Sequence, residues 1–252
     1  MNKLPQITLA FWIMKICATT LGETAGDLLS KTLKVGYGVS SLILFGCFAV
    51  LLTAQLLSKK YYPLLYWMVI LATSTAGTTM SDYMDRTLEL GYMKGSLILL
   101  GILLGIFTYW RLTEKSLSVT EIRTFKVEML YWMAILFSNT LGTALGDFLA
   151  DDSGLGFAGG ALLIGSLIAL VVLLAYFTKI SRVLLFWIAF VLTRPFGATF
   201  GDVLTKTKEE GGLDLGTMGS SAVLAGILAV AIVYSMLTLK RQAPVELPES
   251  TA

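Results

Sequence analysis

Five acidic residues stand in stretches of the sequence that are otherwise apolar. Four of them, Asp27, Asp82, Asp147 and Asp202, each follow a tryptophan by fifteen positions. The fifth, Glu23, precedes the first aspartate by one helical turn. Carboxylate oxygens bind protons and hard cations such as Na⁺, Mg²⁺, Ca²⁺ or Mn²⁺. The recurrence therefore predicts a carboxylate-lined interior that handles a small inorganic cation.

Other residues precede each aspartate at four-residue intervals, so they share one helix face with it. This stripe consists of Lys15, Thr19, Glu23 and Asp27, then Ser74, Thr78 and Asp82, then Asn139, Thr143 and Asp147, and finally Arg194, Ala198 and Asp202. The five acids are the predicted cation ligands and the candidates for a metal site. Thr19, Ser74, Asn139 and Arg194 are predicted to form the next layer inward.

Two bases, Lys15 and Arg194, lie on the same helix faces as the acids and are expected to pair with them. Five acids and two bases leave a formal charge of −3 in this set. That balance favours a path for cations over a path for anions. A purely structural role, in which the two bases hold the helices together, is the alternative for Lys15 and Arg194.

Small residues recur one position away from the stripe. The pairs are Gly22 and Gly26, Gly77 and Ser81, Gly142 and Gly146, and Gly197 and Gly201. Small residues four positions apart allow helix backbones to approach closely within a membrane. The pattern predicts that four helices pack together and bring their polar stripes into contact.

The composition indicates a membrane protein. Of 252 residues, 56% are hydrophobic and 14% are charged, whereas soluble domains carry roughly 25% charged residues. The expected partner is thus the lipid bilayer, and no nucleic acid is expected. Histidine is absent and the two cysteines lie in apolar runs, so no haem, copper or zinc cofactor is predicted.

Four repeated units cover about residues 4–60, 61–117, 119–180 and 181–242. Each unit has a helix rich in Thr, Ser, Gly and acids, a short loop with glycine, and a helix of Leu, Ile, Val, Ala and Gly. The predicted fold is all-α, a single membrane domain over 1–242 with eight transmembrane helices. Because lipid excludes polar groups, the first helix of each unit should be central. The polar tail, 243–252, is predicted to be disordered.

Basic residues predict the orientation. Eleven lie at the termini and in the connectors between units, and six lie in the loops within units. The first group is Lys3, Lys59, Lys60, Arg111, Lys115, Arg123, Lys126, Lys179, Arg182, Lys240 and Arg241, and the second is Lys31, Lys34, Arg86, Lys94, Lys206 and Lys208. By the positive-inside rule both termini should be cytoplasmic, with all four units parallel and the tryptophans at the cytoplasmic interface.

Four tandem two-helix units, each with a tryptophan and a G-x-x-x-[GS]-D ending, resemble the bacterial repeat family called domain of unknown function 347. The resemblance covers about residues 4–242. It implies a multi-pass protein of the bacterial inner membrane, and it implies no activity. Ser81, where the other units have glycine, is a mild departure from the pattern.

The predicted function is a transporter or channel for a proton, Na⁺, or a hard divalent cation such as Mn²⁺ or Mg²⁺. No enzymatic activity is expected. The first alternative is a membrane scaffold or sensor that transports nothing, with its acids tied to Lys15 and Arg194. The second is an intramembrane aspartyl hydrolase, which needs two aspartates that share a proton. It fits less well because the acids recur in four equivalent copies.

Overall fold

The computed structural model describes residues 4–122 and 124–242, which form eight long α-helices and contain no strand. The helices are α1 (Leu9–Asp27), α2 (Tyr37–Leu57), α3 (Pro63–Asp82), α4 (Tyr92–Glu114), α5 (Phe125–Asp147), α6 (Gly156–Phe177), α7 (Arg182–Thr205) and α8 (Thr217–Gln242). The all-helical prediction is confirmed. Lys3, Arg123 and the tail predicted to be disordered lie outside the described residues.

Short turns of other helix types flank the α-helices. A π-helical turn follows each of α1, α3 and α5, over Leu28–Thr32, Tyr83–Thr87 and Phe148–Asp152, and a 3₁₀ turn covers Val119–Glu121. The even helices begin at or just after a glycine with positive φ, namely Gly36 (83°), Gly91 (73°), Gly156 (66°) and Gly216 (71°). Glycine adopts positive φ without strain, which explains the glycine in the loop of every unit.

The four odd helices form a closed ring, in which α1 packs against α3, α3 against α5, α5 against α7, and α7 against α1. Their aspartates meet at one end of the ring. At the other end aromatic rings meet, with centroids 5.6 Å apart for Phe11 and Trp67 and 6.1 Å apart for Tyr131 and Trp187. The four odd helices therefore point in the same direction.

The even helices pack outside this ring, each against the odd helix of the next unit. α2 packs on α3, α4 on α5 and α6 on α7, and α8 returns to α1. Their outer faces expose large apolar side chains, including Leu42, Leu104, Phe177 and Val230. The two helices of one repeated unit are therefore not the two that pack most closely. Each even helix packs instead on the odd helix of the following unit.

Six helices of the described chain are long and apolar enough to cross a membrane. They are Tyr37–Leu57, Tyr92–Glu114, Phe125–Asp152, Gly156–Phe177, Arg182–Thr205 and Thr217–Leu239. α1 and α3 have sufficient length, but their Thr, Ser, Gly and acidic residues lower their hydropathy. These properties are those of a multi-pass membrane protein with its most polar helices inside.

The tryptophans of the repeat are mostly core residues. Trp67, Trp132 and Trp187 are at most 4% exposed, and the indole N–H of Trp187 donates to the backbone carbonyl of Leu117 at 3.0 Å. Side chains that anchor a protein at a membrane surface face the lipid headgroups. These three instead close the aromatic end of the ring by packing against Tyr66 and Tyr131, which lie between them.

Candidate functional site

The predicted polar stripe lines the inside of the ring in four layers, one helical turn apart. From the aromatic end, the first layer is Lys15, Ile70, Ile135 and Phe190, the second is Thr19, Ser74, Asn139 and Arg194, the third is Glu23, Thr78, Thr143 and Ala198, and the fourth is Asp27, Asp82, Asp147 and Asp202. Every one of these side chains is buried. The predicted site residues therefore share one interior.

Basic residues from the following turns bridge the aspartates of the fourth layer. Lys31 Nζ lies 2.7 Å from Asp27 Oδ1 and 3.3 Å from Asp82 Oδ2. Arg86 Nε lies 2.8 Å from Asp82 Oδ1, and its Nη2 lies 3.7 Å from Asp147 Oδ2. Each base lies four residues after the aspartate of its own unit and also contacts the aspartate of the next unit. Two bases thereby connect three acids.

The third unit breaks this pattern, because Asp151 stands where the other units have Lys31, Arg86 and Lys206. Asp151 Oδ2 accepts a hydrogen bond from the Tyr92 hydroxyl at 3.2 Å. Lys206 Nζ lies 3.6 Å from Asp202 Oδ1. Within the described part of the chain, no base bridges the aspartates of the third and fourth units.

Three carboxylates converge at this gap. One oxygen each of Glu23, Asp147 and Asp202 lies within 4.8 Å of the other two, and all three residues are buried. Hard cations bind oxygen ligands at about 2.0–2.6 Å, so modest closure would bring all three oxygens onto one ion. We call this group the carboxylate triad. The other two predicted metal ligands, Asp27 and Asp82, contact Lys31 instead.

Arg194 occupies the centre of the ring and contacts the other three odd helices. Its Nη2 lies 2.8 Å from Glu23 Oε2 and also donates to the hydroxyls of Thr78 and Thr143. The Arg194 and Glu23 side chains are 0% and 3% exposed. The Glu23 carboxylate is therefore shared between this buried ion pair and the carboxylate triad.

Lys15 lies away from the acids. Its Nζ donates to Asn139 Oδ1 at 3.3 Å and lies 4.2 Å from the centre of the Phe190 ring. The Asn139 amide in turn donates to the Thr73 hydroxyl at 2.8 Å. An acidic partner was expected for both Lys15 and Arg194. Among the described residues only Arg194 has one.

The small residues lie where neighbouring odd helices touch. A Cβ atom at each glycine would meet the next helix of the ring: Gly22 faces Ser74, Gly26 faces Thr78, Gly77 faces Asn139, Gly142 faces Arg194, Gly146 faces Ala198, Gly197 faces Thr19 and Gly201 faces Glu23. Ser81 instead donates to Asp85 Oδ2 at 3.2 Å. The absence of side chains lets the backbones approach until the polar stripes meet.

Three bases of this site, Lys31, Arg86 and Lys206, were assigned to loops by sequence reasoning. With them and with Asp151, the residue at the equivalent position of the third unit, the set contains six carboxylates and five cationic groups, so its formal charge is −1 and not −3. A signal for them was present, since each follows an aspartate by four residues. The feature that distinguishes this interior is the uneven distribution of charge more than its small net excess of acid.

Comparison with known families agrees with the internal repeat. The family described as Repeat of Unknown Function (DUF347) matches four times, over residues 10–61, 65–116, 130–181 and 185–241. The chain belongs to this family. No curated protein and no solved structure matches the chain. The four family matches coincide with the four units of the ring, so each match supplies one odd and one even helix.

Proposed function

We propose that this protein is an integral membrane transporter for a small hard cation, with a divalent ion such as Mn²⁺ or Mg²⁺ as the best fit. In this proposal all eight helices cross a bacterial inner membrane, the four units share one orientation, and both termini are cytoplasmic. The observation that carries the proposal is the carboxylate triad, located at the one position of the aspartate ring where a bridging base is replaced by an acid.

The local charge favours a divalent ion. The triad holds three carboxylates, and Arg194 offsets the charge of Glu23. Asp202 has Lys206 Nζ at 3.6 Å, and Asp147 has Arg86 Nη2 at 3.7 Å, although Arg86 lies closer to Asp82, at 2.8 Å. Buried carboxylates close together repel one another unless a proton or a cation lies between them. A divalent ion offsets the repulsion among the three carboxylates more strongly than a monovalent ion and provides a hard centre for their oxygens.

The route to the triad starts at the acidic end of the ring. Asp151, whose side chain is 40% exposed, lies beside Tyr92 and Arg86 and marks the mouth of the route. Beyond the triad, the guanidinium of Arg194 fills the centre of the bundle. Passage therefore requires Arg194 to move away from Glu23, so a carrier that alternates between two states fits better than an open channel.

Flux into proteoliposomes tests the proposal. Purified protein in vesicles loaded with a cation-sensitive dye should admit Mn²⁺, or another cation of a panel with Na⁺, Mg²⁺ and Ca²⁺, faster than protein-free vesicles. Asp147→Asn and Asp202→Asn should each reduce the flux at least tenfold. Asp214→Asn, which changes an exposed loop carboxylate, is the matched control and should retain it. Unchanged flux in both triad variants would refute the site.

A membrane scaffold or sensor without transport is the second candidate. The Arg194–Glu23 ion pair and the bridges from Lys31 and Arg86 support it, because ion pairs of this kind also hold helices together. It predicts that folded wild-type protein admits none of the cations. An intramembrane aspartyl hydrolase has less support, since Glu23 beside Asp147 and Asp202 makes a group of three and not an isolated dyad.

A further inference from the structure

Hydrogen-bond donors without partners gather near the second layer of the ring. Arg194 uses only Nη2, while its buried Nε and Nη1 have no hydrogen-bond partner among the described residues. The Ser74 hydroxyl, in the same layer, is buried and unpartnered as well. Lys15 donates one hydrogen bond, to Asn139. An ammonium group has three N–H donors and a guanidinium has five, so most donors of these two groups are unused.

The formal charge of this region is positive. Lys15 is fully buried and forms no ion pair with a carboxylate within the described chain, and its ammonium group lies over Phe190, one helical turn before Arg194. Around Lys15, α1 contributes Thr19, α5 contributes Asn139 and α7 contributes Phe190, none of which is acidic. Glu23 compensates only Arg194. A protonated Lys15 therefore has no counter-charge, and an unpaired buried charge is strongly unfavourable.

We propose that Lys15 and the unused donors of Arg194 together bind a small monovalent inorganic anion, with chloride as the natural ligand. A halide accepts hydrogen bonds from several directions and supplies the missing negative charge. The site accepts only a small ion because glycines hold the odd helices in close contact on both sides, Gly142 against Arg194 and Gly197 against Thr19. The anion lies nearer the aromatic end than the carboxylate triad and does not depend on cation transport.

A thermal-unfolding titration with bromide tests this site. Purified protein in detergent is measured while sodium bromide replaces sodium gluconate, so that the sodium concentration and ionic strength stay constant. Above the dissociation constant, each tenfold increase in bromide should raise the melting temperature by about 3 °C, because only the folded state holds the ion. Lys15→Met should abolish this dependence, and Lys59→Met, at an exposed lysine, should leave it intact.

A second measurement guards against a Lys15→Met variant that fails to fold. The bromide anomalous signal in crystals of the wild-type protein should place one ion between Lys15 and Arg194. A melting temperature independent of bromide, or crystals with no anomalous peak there, would overturn the proposal and indicate that water satisfies these donors. Neither readout involves cation flux. The anion site can therefore be disproved while the transport proposal stands, and the transport proposal can be disproved while the anion site stands.

Discussion

At the scale of single residues, Arg194 is a fully buried cation at the centre of the ring. Its guanidinium joins four helices through Glu23, Thr78 and Thr143, and no part of it is exposed. A buried ion pair contributes little net stability, but removal of one partner leaves the other charge buried alone. The two residues should therefore be strongly coupled in stability.

Arg194→Gln and Glu23→Gln should each destabilise the protein by about 3–5 kcal/mol, and the double variant should be more stable than either single variant. Thermal unfolding in detergent measures the stability of the wild type, the two single variants and the double variant. Lys126→Gln is the control, because it disrupts the exposed 3.1 Å pair with Glu114 and should cost less than about 1 kcal/mol. If the double variant is no more stable than the less stable of the two single variants, the two charges do not compensate each other.

At the scale of helices, the ring depends on how closely the odd helices approach. A Cβ at Gly142 would overlap the Arg194 side chain and lie 2.9 Å from Pro195 Cδ. Neither neighbour can move freely, since Arg194 is hydrogen-bonded across the ring and the proline ring is rigid. The small residues thus set the distance between helices and, through it, the geometry of the four layers.

Gly142→Ala should lower stability by about 1–3 kcal/mol, as overpacked cores do. Gly101→Ala, on the outer face of α4, adds the same methyl group where no atom lies within 4 Å. Because alanine favours helix over glycine by about 1 kcal/mol, the Gly101 variant should be as stable as the wild type or more so. Equal stability of the two variants would mean that the close α5–α7 contact has no structural importance.

Sequence periodicity predicted which residues line the inside of the ring. It did not predict which helices and charged side chains of different units contact one another. Four-residue spacing is a local property of a helix, and it placed Glu23 and Asp202 on inward faces. The position of α2 on the helix of the next unit is a tertiary result that spacing within one unit does not encode. The ion pairs from Lys31 to Asp82 and from Arg86 to Asp147 also join different units, so the spacing within one unit does not encode them either.

At the scale of the whole molecule, the four odd helices run in the same direction, so all connectors between units lie at one end of the ring and all loops within units lie at the other. If the aromatic end of the ring faces the cytoplasm, then every connector between units lies inside and every loop within a unit lies outside. The majority of the basic residues in the connectors favours this orientation.

Cysteine labelling in spheroplasts measures this topology. In a background with Cys17→Ala and Cys47→Ala, a membrane-impermeant maleimide should label Thr87→Cys, Asp152→Cys and Lys208→Cys. It should leave Lys59→Cys and Lys179→Cys unlabelled until the membrane is permeabilised. All five positions are exposed, so access to the reagent depends on the side of the membrane. Labelling of one loop within a unit but not of the others would contradict parallel units.

The third unit carries Asp151 where the other units carry a base, so no base bridges Asp147 and Asp202 within the described residues, and the proposed cation lies between these two aspartates. Asp151→Lys restores the base that the other units carry at this position, so it should place a competing charge between Asp147 and Asp202. Asp152→Lys adds the same charge one residue later, at an exposed position, and is the matched control.

The most direct measurement is equilibrium Mn²⁺ binding to purified protein by electron paramagnetic resonance. We expect the wild type and Asp152→Lys to bind one Mn²⁺ per chain with similar affinity. Asp151→Lys should bind about a hundredfold more weakly, since a charge about 4 Å away acts with roughly 4 kcal/mol near a protein surface before side-chain motion reduces it. Equal affinity in Asp151→Lys and the wild type, or no binding to the wild type, would contradict a cation site between the aspartates of the third and fourth units.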